Sequence, residues 1–460
     1  EEGEVIETAA VMGELFRPAN VSCVLGVNSL QVHRTLHGIE KWYGLVRSVE
    51  SGEWYKFDHP MLREVVYNEI PAAMRVECHN TAVDCIIRDG GAGLAHLARV
   101  AYHARAGKHP DAMKHLKSAG DAARKEYQTD ETVRFYRAAL EMADVREQAG
   151  LLKTIGETLY DGGRFEEAVE WLEKAGKASG EKSEKVMLAA RRSRAFERLG
   201  RPREGMDALD NEEPDRETAA PAKAIWLSAR AWLRYVLMDY KGAESDASEA
   251  LQVFETTSPL WADDMADCWN TLGASSHLTG MLTKAIEQFR RGLIAAEEGN
   301  APFQAVRIMG NLCALEMEVG HYGEALALSG RALCKAEMMG SRLYIAICLV
   351  RKGQAQFVLG HTSEAYESWS AAIEMLKEIG LSAYVSSTLA LRAACALDLG
   401  LPEEAEQDAR EALSLTEGGS RMYHLEAMTN LAEVIALRCR ASPIEQGSMS
   451  HRERCSITDA

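Results

Sequence analysis

A repeat with a period near 40 is the feature that most constrains how this chain can fold. Ala285, Ala325, Ala365 and Ala405 are evenly spaced along the chain, and a glycine stands five residues before each of them. Self-similarity at such a period is typical of a solenoid, in which each unit packs on its neighbours and no central core is needed. The length of 460 residues also exceeds the usual limit for a single core. We therefore predict an array of repeats.

Each unit has the pattern of two helices, A and B, joined at a glycine. Earlier and less regular copies centre on Ala168, Gly205 and Ala243, and a last half-copy covers residues 428–438. Glycine suits the left-handed position that ends a helix, so we expect helix A to end at these residues: Gly163, Gly200, Gly280, Gly320, Gly360 and Gly400. Small residues at the repeat centres let two antiparallel helices cross closely.

This pattern resembles the tetratricopeptide family over roughly residues 95–440. The resemblance implies an all-α fold, a right-handed superhelix of antiparallel helix pairs, which we assign to residues 91–440. The family's usual unit has about 34 residues, so a period near 40 adds about three residues to each helix. Because of that difference, no peptide-clamp residues are carried over from short-repeat members. Residues 441–460 are polar and are expected to form a flexible tail.

The first ninety residues have a different pattern. Helices are predicted over residues 5–15, 19–25 and 29–42, and alternating apolar residues predict strands over 45–49 and 54–57. Ser51 and Gly52 give a hairpin turn between the strands. Three helices and a hairpin predict a winged-helix domain over residues 1–90, and the glycine-rich residues 90–93 are expected to link it to the repeats.

Two motifs after the hairpin carry a second resemblance. The first is Phe57-x-His59-x-x-x-Arg63-Glu64-x-x-Tyr67-x-x-Ile70-Pro71-x-x-x-Arg75-x-x-x-His79, and the second is Tyr102-His103-Ala104-Arg105-Ala106-Gly107. They resemble the junction in STAND-type signal transduction ATPases, where a nucleotide-binding domain precedes a winged helix and tetratricopeptide repeats.

The STAND resemblance implies that His59 contacts the phosphates of a bound nucleotide. The alternative for His59 is a structural role, tying the strand to the start of the next helix. No G-x-x-x-x-G-K-[ST] sequence occurs in the chain, so it has no P-loop and we predict no cofactor in this segment. ATP or ADP would bind to a domain expected upstream of Glu1.

No arrangement of residues predicts an enzyme or a metal site. His33 and His37 share a helix face near Glu40, but metal sites need further ligands and a second shell, so a solvated face is the preferred interpretation. No Ser/His/Asp, Cys/His or paired-carboxylate set stands out. We predict no catalytic residues.

Charge and hydropathy narrow the class of partner. The formal net charge of −17 disfavours nucleic acid and anionic membranes. The longest apolar run, residues 343–350, is far too short to span a bilayer. We predict a cytoplasmic location, and we expect the ten scattered cysteines to be reduced.

Aromatic residues in the middle repeats are expected mainly in the core. Placing the repeat on the concave face known for the tetratricopeptide family implies a ligand groove formed by Trp232, Tyr235, Asn270, His277, Arg307 and Gln354. The partner would be a protein, a peptide or a small inducer.

The preferred function is the non-catalytic sensor and interaction segment of a STAND-like regulatory ATPase, relaying ligand binding through the winged helix. One alternative is a free-standing tetratricopeptide-repeat scaffold. The other is a transcription regulator that binds DNA through the third helix, where Arg34, Lys41 and Arg47 supply positive charge.

Overall fold

The structure is a computed structural model that describes residues 1–49, 52–257, 261–415 and 435. Its contacts divide the chain into two compact units, unit 1 (Glu1–Leu159) and unit 2 (Tyr160–Ala460). The predicted boundary between residues 90 and 91 stays a prediction, since unit 1 also contains the first helix pairs of the predicted array. The predicted half-copy at 428–438 and the predicted tail at 441–460 lie outside the described residues, apart from residue 435.

Unit 1 begins with three helices and a small sheet. The helices are α1 (Glu2–Met12), α2 (Pro18–Leu25) and α3 (Ser29–Tyr43), and the strands are β1 (Leu15–Phe16), β2 (Val46–Val49) and β3 (Trp54–Phe57). The sheet has the order β1-β3-β2 with antiparallel pairs, Leu15 opposite Lys56 and Val46 opposite Phe57. The three predicted helices and both predicted strands are confirmed to within three residues at each end.

The strand β1 was not predicted, because Leu15 was assigned to the end of the first helix. That helix ends earlier, at Gly13, whose φ of 128° breaks the helical path. Two residues then pair with the edge of β3, which is too short a segment to show a period in sequence. Phe16 is thereby fully buried against Phe57, with ring centroids 5.8 Å apart.

Six further helices complete unit 1 and enter unit 2. They are α4 (Pro60–Glu69), α5 (Ala72–Asp89), α6 (Leu94–Ala106), α7 (Ala112–Lys125), α8 (Thr129–Leu140) and α9 (Val145–Asp161). Gly90, Gly91 and Gly93 all have positive φ between α5 and α6, and that this segment links two domains stays a prediction.

A disulfide joins Cys23 of α2 to Cys85 of α5. The expectation that all cysteines are reduced is therefore wrong for this pair. The two residues are 62 positions apart, and they meet only because α2 packs against α5. Spacing in the sequence carries no sign of that packing.

Unit 2 continues as helix pairs. Its further helices are α10 (Phe165–Ala178), α11 (Lys182–Arg198), α12 (Pro202–Asp210), α13 (Ala220–Val236), α14 (Tyr240–Thr257), α15 (Ala262–Leu278), α16 (Leu282–Glu298), α17 (Pro302–Glu318), α18 (Tyr322–Met338), α19 (Arg342–Val358), α20 (Thr362–Ile379), α21 (Ser382–Asp398) and α22 (Pro402–Ser414). The odd-numbered helices from α9 to α21 are the A helices, and the even-numbered helices from α10 to α22 are the B helices.

The predicted glycine ends of the A helices are confirmed. All six glycines have φ between 73° and 86°. A second series at the ends of the B helices was not predicted: Asn300, Gly340 and Gly380, which recur with the period of the repeat, also have positive φ. Asparagine tolerates this conformation better than most residues, so the series does not show up as a run of glycines.

Close crossing of A and B helices is also confirmed. Ala285, Ala325, Ala365 and Ala405 are fully buried. At Gly353 an added Cβ would lie 2.7 Å from Nε1 of Trp369, which leaves room for hydrogen only. The fold is therefore an all-α, tetratricopeptide-like array of helix pairs, preceded by a small part whose three helices and three-stranded sheet fit a winged helix.

Within the ranges that the structure describes, none of the helices has both the length and the apolar character that crossing a bilayer requires.

Candidate ligand groove on the repeat helices

One surface of unit 2 is built from the A helices. From α11 to α21, each A helix packs against the next A helix as well as against its B helices. Because the period is constant, residues one repeat apart occupy the same position on successive A helices. The A-helix face is formed by three such positions: Asp267, Thr271 and Ala274 on α15; Arg307, Asn311 and Ala314 on α17; Ile347, Arg351 and Gln354 on α19; Ser387, Leu391 and Ala394 on α21.

The first opening on this surface is the central cleft, a narrow gap partly open to solvent, whose volume of about 10 Å³ holds about one water molecule. It lies among α11, α13, α15 and α17, with one residue from the end of α9. Its lining is mostly polar and charged: Tyr160, Arg194, Glu197, Ser228, Trp232, Asp267, Thr271 and Arg307.

A buried ion-pair network forms the floor of the central cleft. Arg194 pairs with Asp264, at 3.2 Å, and with Asp267, which also accepts a hydrogen bond from Arg307. Arg191 contacts Asp264 at 3.6 Å. Burial tends to raise the pKa of Asp267, but the guanidinium groups of Arg194 and Arg307 outweigh it and hold that pKa below its usual value. The carboxylate is thus fixed in its ionised form.

Two N–H groups of the central cleft have no acceptor among the described residues. They are the indole Nε1 of Trp232 and the Nε of Arg307, both buried. The Trp232 ring stacks on Tyr235 with centroids 5.0 Å apart, and the Arg307 guanidinium carbon lies 5.7 Å from the Trp232 ring. A buried donor without an acceptor costs free energy, so the cleft favours a water molecule or a ligand atom that offers an oxygen to either group.

The second opening is the C-terminal cleft, with a volume of about 360 Å³. It lies between α19 and α21. Its lining combines apolar and polar residues: Ile347, Val350, Arg351, Gln354, Tyr384, Ser387, Thr388, Ala390, Leu391 and Ala394. One Nη of Arg351 donates to Oε1 of Gln354 at 3.0 Å.

The structure places three of the six predicted groove residues at these openings. Trp232 and Arg307 line the central cleft, and Gln354 lines the C-terminal cleft. Tyr235 lies behind Trp232 as its stacking partner. That any of these residues binds a ligand stays a prediction.

The side chains of the other two predicted groove residues, Asn270 and His277, contact side chains of the next repeat. Asn270 is fully buried, and its Oδ1 accepts a hydrogen bond from Nδ2 of Asn311 at 2.8 Å. His277 forms a short contact with the carboxylate of Glu318. Both pairs link α15 to α17, so they hold the repeats together.

Sequence reasoning missed Arg194, Asp267 and Arg351. A signal was present for the ion pair, because Asp267 and Arg307 have opposite charge and lie one repeat length apart. In an array with this period, such residues are neighbours on adjacent A helices. Arg351 gives no comparable signal, since its importance depends on which residues surround it.

In unit 1, His59 is the residue before α4. Its Nδ1 accepts a hydrogen bond from the backbone N–H of Met61 at 3.2 Å, and its side chain is exposed. This is the helix-capping geometry expected from the structural alternative. A contact between His59 and a nucleotide remains a prediction.

Three residues of the STAND-like motifs, Tyr67, His79 and His103, meet in one cluster, and we call its two buried histidines the histidine pair. Tyr67 Oη lies 3.0 Å from Nε2 of His79, and Nδ1 of His79 lies 2.9 Å from Nδ1 of His103. His103 also bonds to the backbone of Met12. Both histidines are 1% exposed.

One assignment of protons satisfies every atom of this chain of hydrogen bonds. Tyr67 donates to His79, Nδ1–H of His79 donates to His103, and the remaining N–H of His103 donates to Met12. Burial, followed by the charges of Arg63 and Arg75, lowers the pKa of His79 to about 4. Burial, followed by His79, lowers the pKa of His103 to about 3. Both rings are therefore neutral, and they connect α1, α4, α5 and α6.

The cations proposed for DNA binding are partly engaged within the protein. Arg47 contacts Asp58 at 3.4 Å, and the Lys41 ammonium lies 5.0 Å from the Trp42 ring.

Among the described residues, one group could supply a metal with three ligand atoms. His109, Asp111 and His115 have these atoms within 4.8 Å of one another, at the start of α7. In the present geometry Nδ1 of His109 accepts a hydrogen bond from the backbone of Asp111 at 3.1 Å. His33 and His37, considered from the sequence, are not part of this group.

No protein-family model and no curated protein matches the sequence. Among solved structures, the chain is similar to a Signal Transduction ATPase with Numerous Domains (STAND) protein with a tetratricopeptide repeat sensor from Pyrococcus horikoshii, at 15% identity and a TM-score of 0.47. That match covers 95% of this chain, but the chain spans only 64% of that protein.

Two other solved structures match a little over half of the chain. BtubC from P. vanneervenii has 18% identity and a TM-score of 0.39, covering 51% of this chain and 91% of its own. The apo form of RapI has 15% identity and a TM-score of 0.36, covering 56% of this chain and 97% of its own.

Proposed function

We propose that this chain is the non-catalytic sensor and interaction segment of a STAND-like regulatory ATPase. Its A helices bind a protein, a peptide or a small inducer, and unit 1 relays that event to a nucleotide-binding domain that would hold ATP or ADP. The observation that carries the proposal is the central cleft. It has two buried N–H donors without an acceptor among the described residues, next to carboxylates that are already paired.

The chemistry of the central cleft suits binding better than catalysis. The carboxylate of Asp267 is held by two arginines, so it is a poor proton acceptor. The indole of Trp232 and the guanidinium of Arg307 offer hydrogen bonds in fixed positions. Fixed donors beside a stacked aromatic pair favour recognition of a carbonyl or carboxylate oxygen on the ligand.

The relay in this proposal is supported by the histidine pair. Residues of both STAND-like motifs contact each other there, and the cluster connects α1, α4, α5 and α6. A change in the packing of α6 would reach α1 and α4 through these bonds. In the same proposal, His59 at the start of α4 is the contact with the nucleotide, and the protein acts in the cytoplasm.

The ligand-binding part of the proposal is tested by screening peptides and small molecules for binding to the full chain. We expect peptides selected from a random phage-displayed library, or members of a panel of sugars, amino acids and nucleotides, to bind the wild-type protein. Trp232→Phe keeps an aromatic ring but removes the N–H donor, and we expect it to weaken binding about fivefold to tenfold. Trp269→Phe, on α15 outside the cleft lining, is the matched control. Equal affinities for wild type and Trp232→Phe would exclude the central cleft as the site.

The ATPase part is tested separately by reading the coding sequence upstream of Glu1. A P-loop motif there is the expected result. A start codon close to Glu1 without a P-loop would contradict the ATPase assignment and leave the repeat scaffold.

A further inference from the structure

The C-terminal cleft contains an arginine whose charge has no partner among the described residues. In the part of the chain that the structure describes, Arg351 makes one side-chain hydrogen bond, to the neutral amide of Gln354, and no ion pair. A guanidinium group has five N–H donors, so most of them remain available.

The walls around Arg351 are apolar and leave space. Ile347 and Val350 lie on α19 beside it, and Leu391 faces them from α21. All three are half-buried, and the small side chains of Ala390 and Ala394 keep the opening wide. The volume of about 360 Å³ is enough for a small molecule or for the side chains of a short peptide.

Two of the three hydroxyl groups of the lining, those of Ser387 and Thr388, are engaged within α21. Ser387 donates to the backbone oxygen of Tyr384 at 3.1 Å, and Thr388 donates to the same oxygen at 2.7 Å. Their protons are therefore used, and Arg351 is the charged donor of the lining, beside the neutral donors of Gln354 and Tyr384. A carboxylate matches the planar fork of a guanidinium with two parallel hydrogen bonds.

We propose that the C-terminal cleft binds a carboxylate attached to an apolar body. Arg351 holds the carboxylate, and Ile347, Val350 and Leu391 pack against the apolar part. This inference rests on the proposed function, since it names the ligand chemistry of one region of the same surface. The carboxylate can come from a small amphipathic acid or from an acidic residue of an apolar peptide.

Calorimetry on the full chain tests the proposal with defined probes. Decanoate is compared with decyltrimethylammonium, which has a similar chain and the opposite charge. A peptide with glutamate between leucines is compared with its glutamine counterpart. We expect at least one acid to bind and both matched non-acids to bind much more weakly.

Three variants and one control locate the site. Arg351→Gln is expected to weaken binding of the acid about tenfold to hundredfold, because it removes a hydrogen-bonded charge. Arg351→Lys keeps the charge without the fork and is expected to fall between Arg351→Gln and wild type. Ala394→Phe fills the cleft, while Ala314→Phe occupies the same repeat position on α17, outside the lining, and is expected to leave binding unchanged.

The outcomes separate this inference from the proposed function. Acid binding that is insensitive to Arg351→Gln, or no binding of either acid, would overturn the inference. If selected ligands still bind in a way that depends on Trp232, the proposed function stands without it. If the acids bind through Arg351 while no ligand depends on Trp232, the C-terminal cleft is a site and the central cleft is not.

Discussion

Lowering the pH from 7 to 5 is expected to destabilise unit 1 through the histidine pair. His79 and His103 have an ordinary pKa of 6.5 when the chain is unfolded, and burial lowers these values to about 4 and about 3 in the folded state. Between pH 6.5 and about 4 the unfolded chain binds more protons than the folded one. Stability is therefore fully present above pH 6.5 and is lost as the pH falls through this window.

The size of the effect follows from the pKa shifts. One pH unit changes the free energy by about 1.36 kcal/mol for each proton, and about 1.5 units lie between the unfolded pKa and pH 5. At pH 5 each histidine thus lowers the free energy of unfolding by about 2 kcal/mol, and the pair lowers it by about 4 kcal/mol if the two act independently. Protonating both rings would also place two charges at the contact between their Nδ1 atoms, 2.9 Å apart.

Hydrogen–deuterium exchange with mass spectrometry can measure this effect in the whole chain. We expect peptides from α5 and α6 to lose protection at pH 5, after correction for intrinsic exchange, more than peptides from α18 or α20. His79→Gln is expected to remove about half of the loss, whereas His33→Gln on the half-exposed face of α3 is expected to leave it unchanged. Equal protection of α5 and α6 at pH 7 and pH 5 would refute the reasoning.

Three further predictions concern packing, charge and covalent structure. Gly353→Ala is expected to lower the free energy of unfolding in urea by about 1–3 kcal/mol, because its Cβ would overlap Trp369. Gly330→Ala, whose Cβ would meet nothing within 4 Å, is expected to raise it by up to about 1 kcal/mol. Equal effects of the two substitutions would contradict this prediction. Asp267→Asn is expected to lower the free energy of unfolding by about 3–5 kcal/mol, because it leaves buried arginine charge unpaired. The control is Glu287→Gln, which removes an exposed ion pair, and an equally small loss for both variants would argue against the network. Cys23 and Cys85 are expected to react with an alkylating reagent only after the disulfide is reduced. Reduction is expected to lower the free energy of unfolding by about 2–4 kcal/mol. Alkylation of the two cysteines before reduction would show that they are not joined.

Local signals in the sequence were enough to predict most of the helices and the sheet. The six glycines that end the A helices have the predicted positive φ, because a left-handed residue at that point has few alternatives to glycine. Strand β3 alternates as predicted, with Tyr55 and Phe57 buried and Trp54 half-buried. These features depend on neighbours within a few residues, so one sequence contains the information.

Features that depend on distant contacts were not predicted. Cys23 and Cys85 meet through the packing of α2 on α5, and strand β1 exists only because the edge of β3 is free to pair with it. The histidine pair joins two motifs noted in the sequence, but nothing in their spacing indicated that His79 and His103 would touch. Trp232 and Arg307 line the central cleft, but the ligand groove itself stays a prediction.

Each repeat contributes its own side chains to the A-helix face. Asp267, Arg307, Ile347 and Ser387 occupy one shared position and differ in charge, polarity and size. Asp267 and Arg307 are paired with each other across neighbouring A helices, so a substitution at either residue also affects the adjacent repeat. The chemistry of this surface can therefore vary along the array, but where a charged pair spans two repeats both of its residues have to change together.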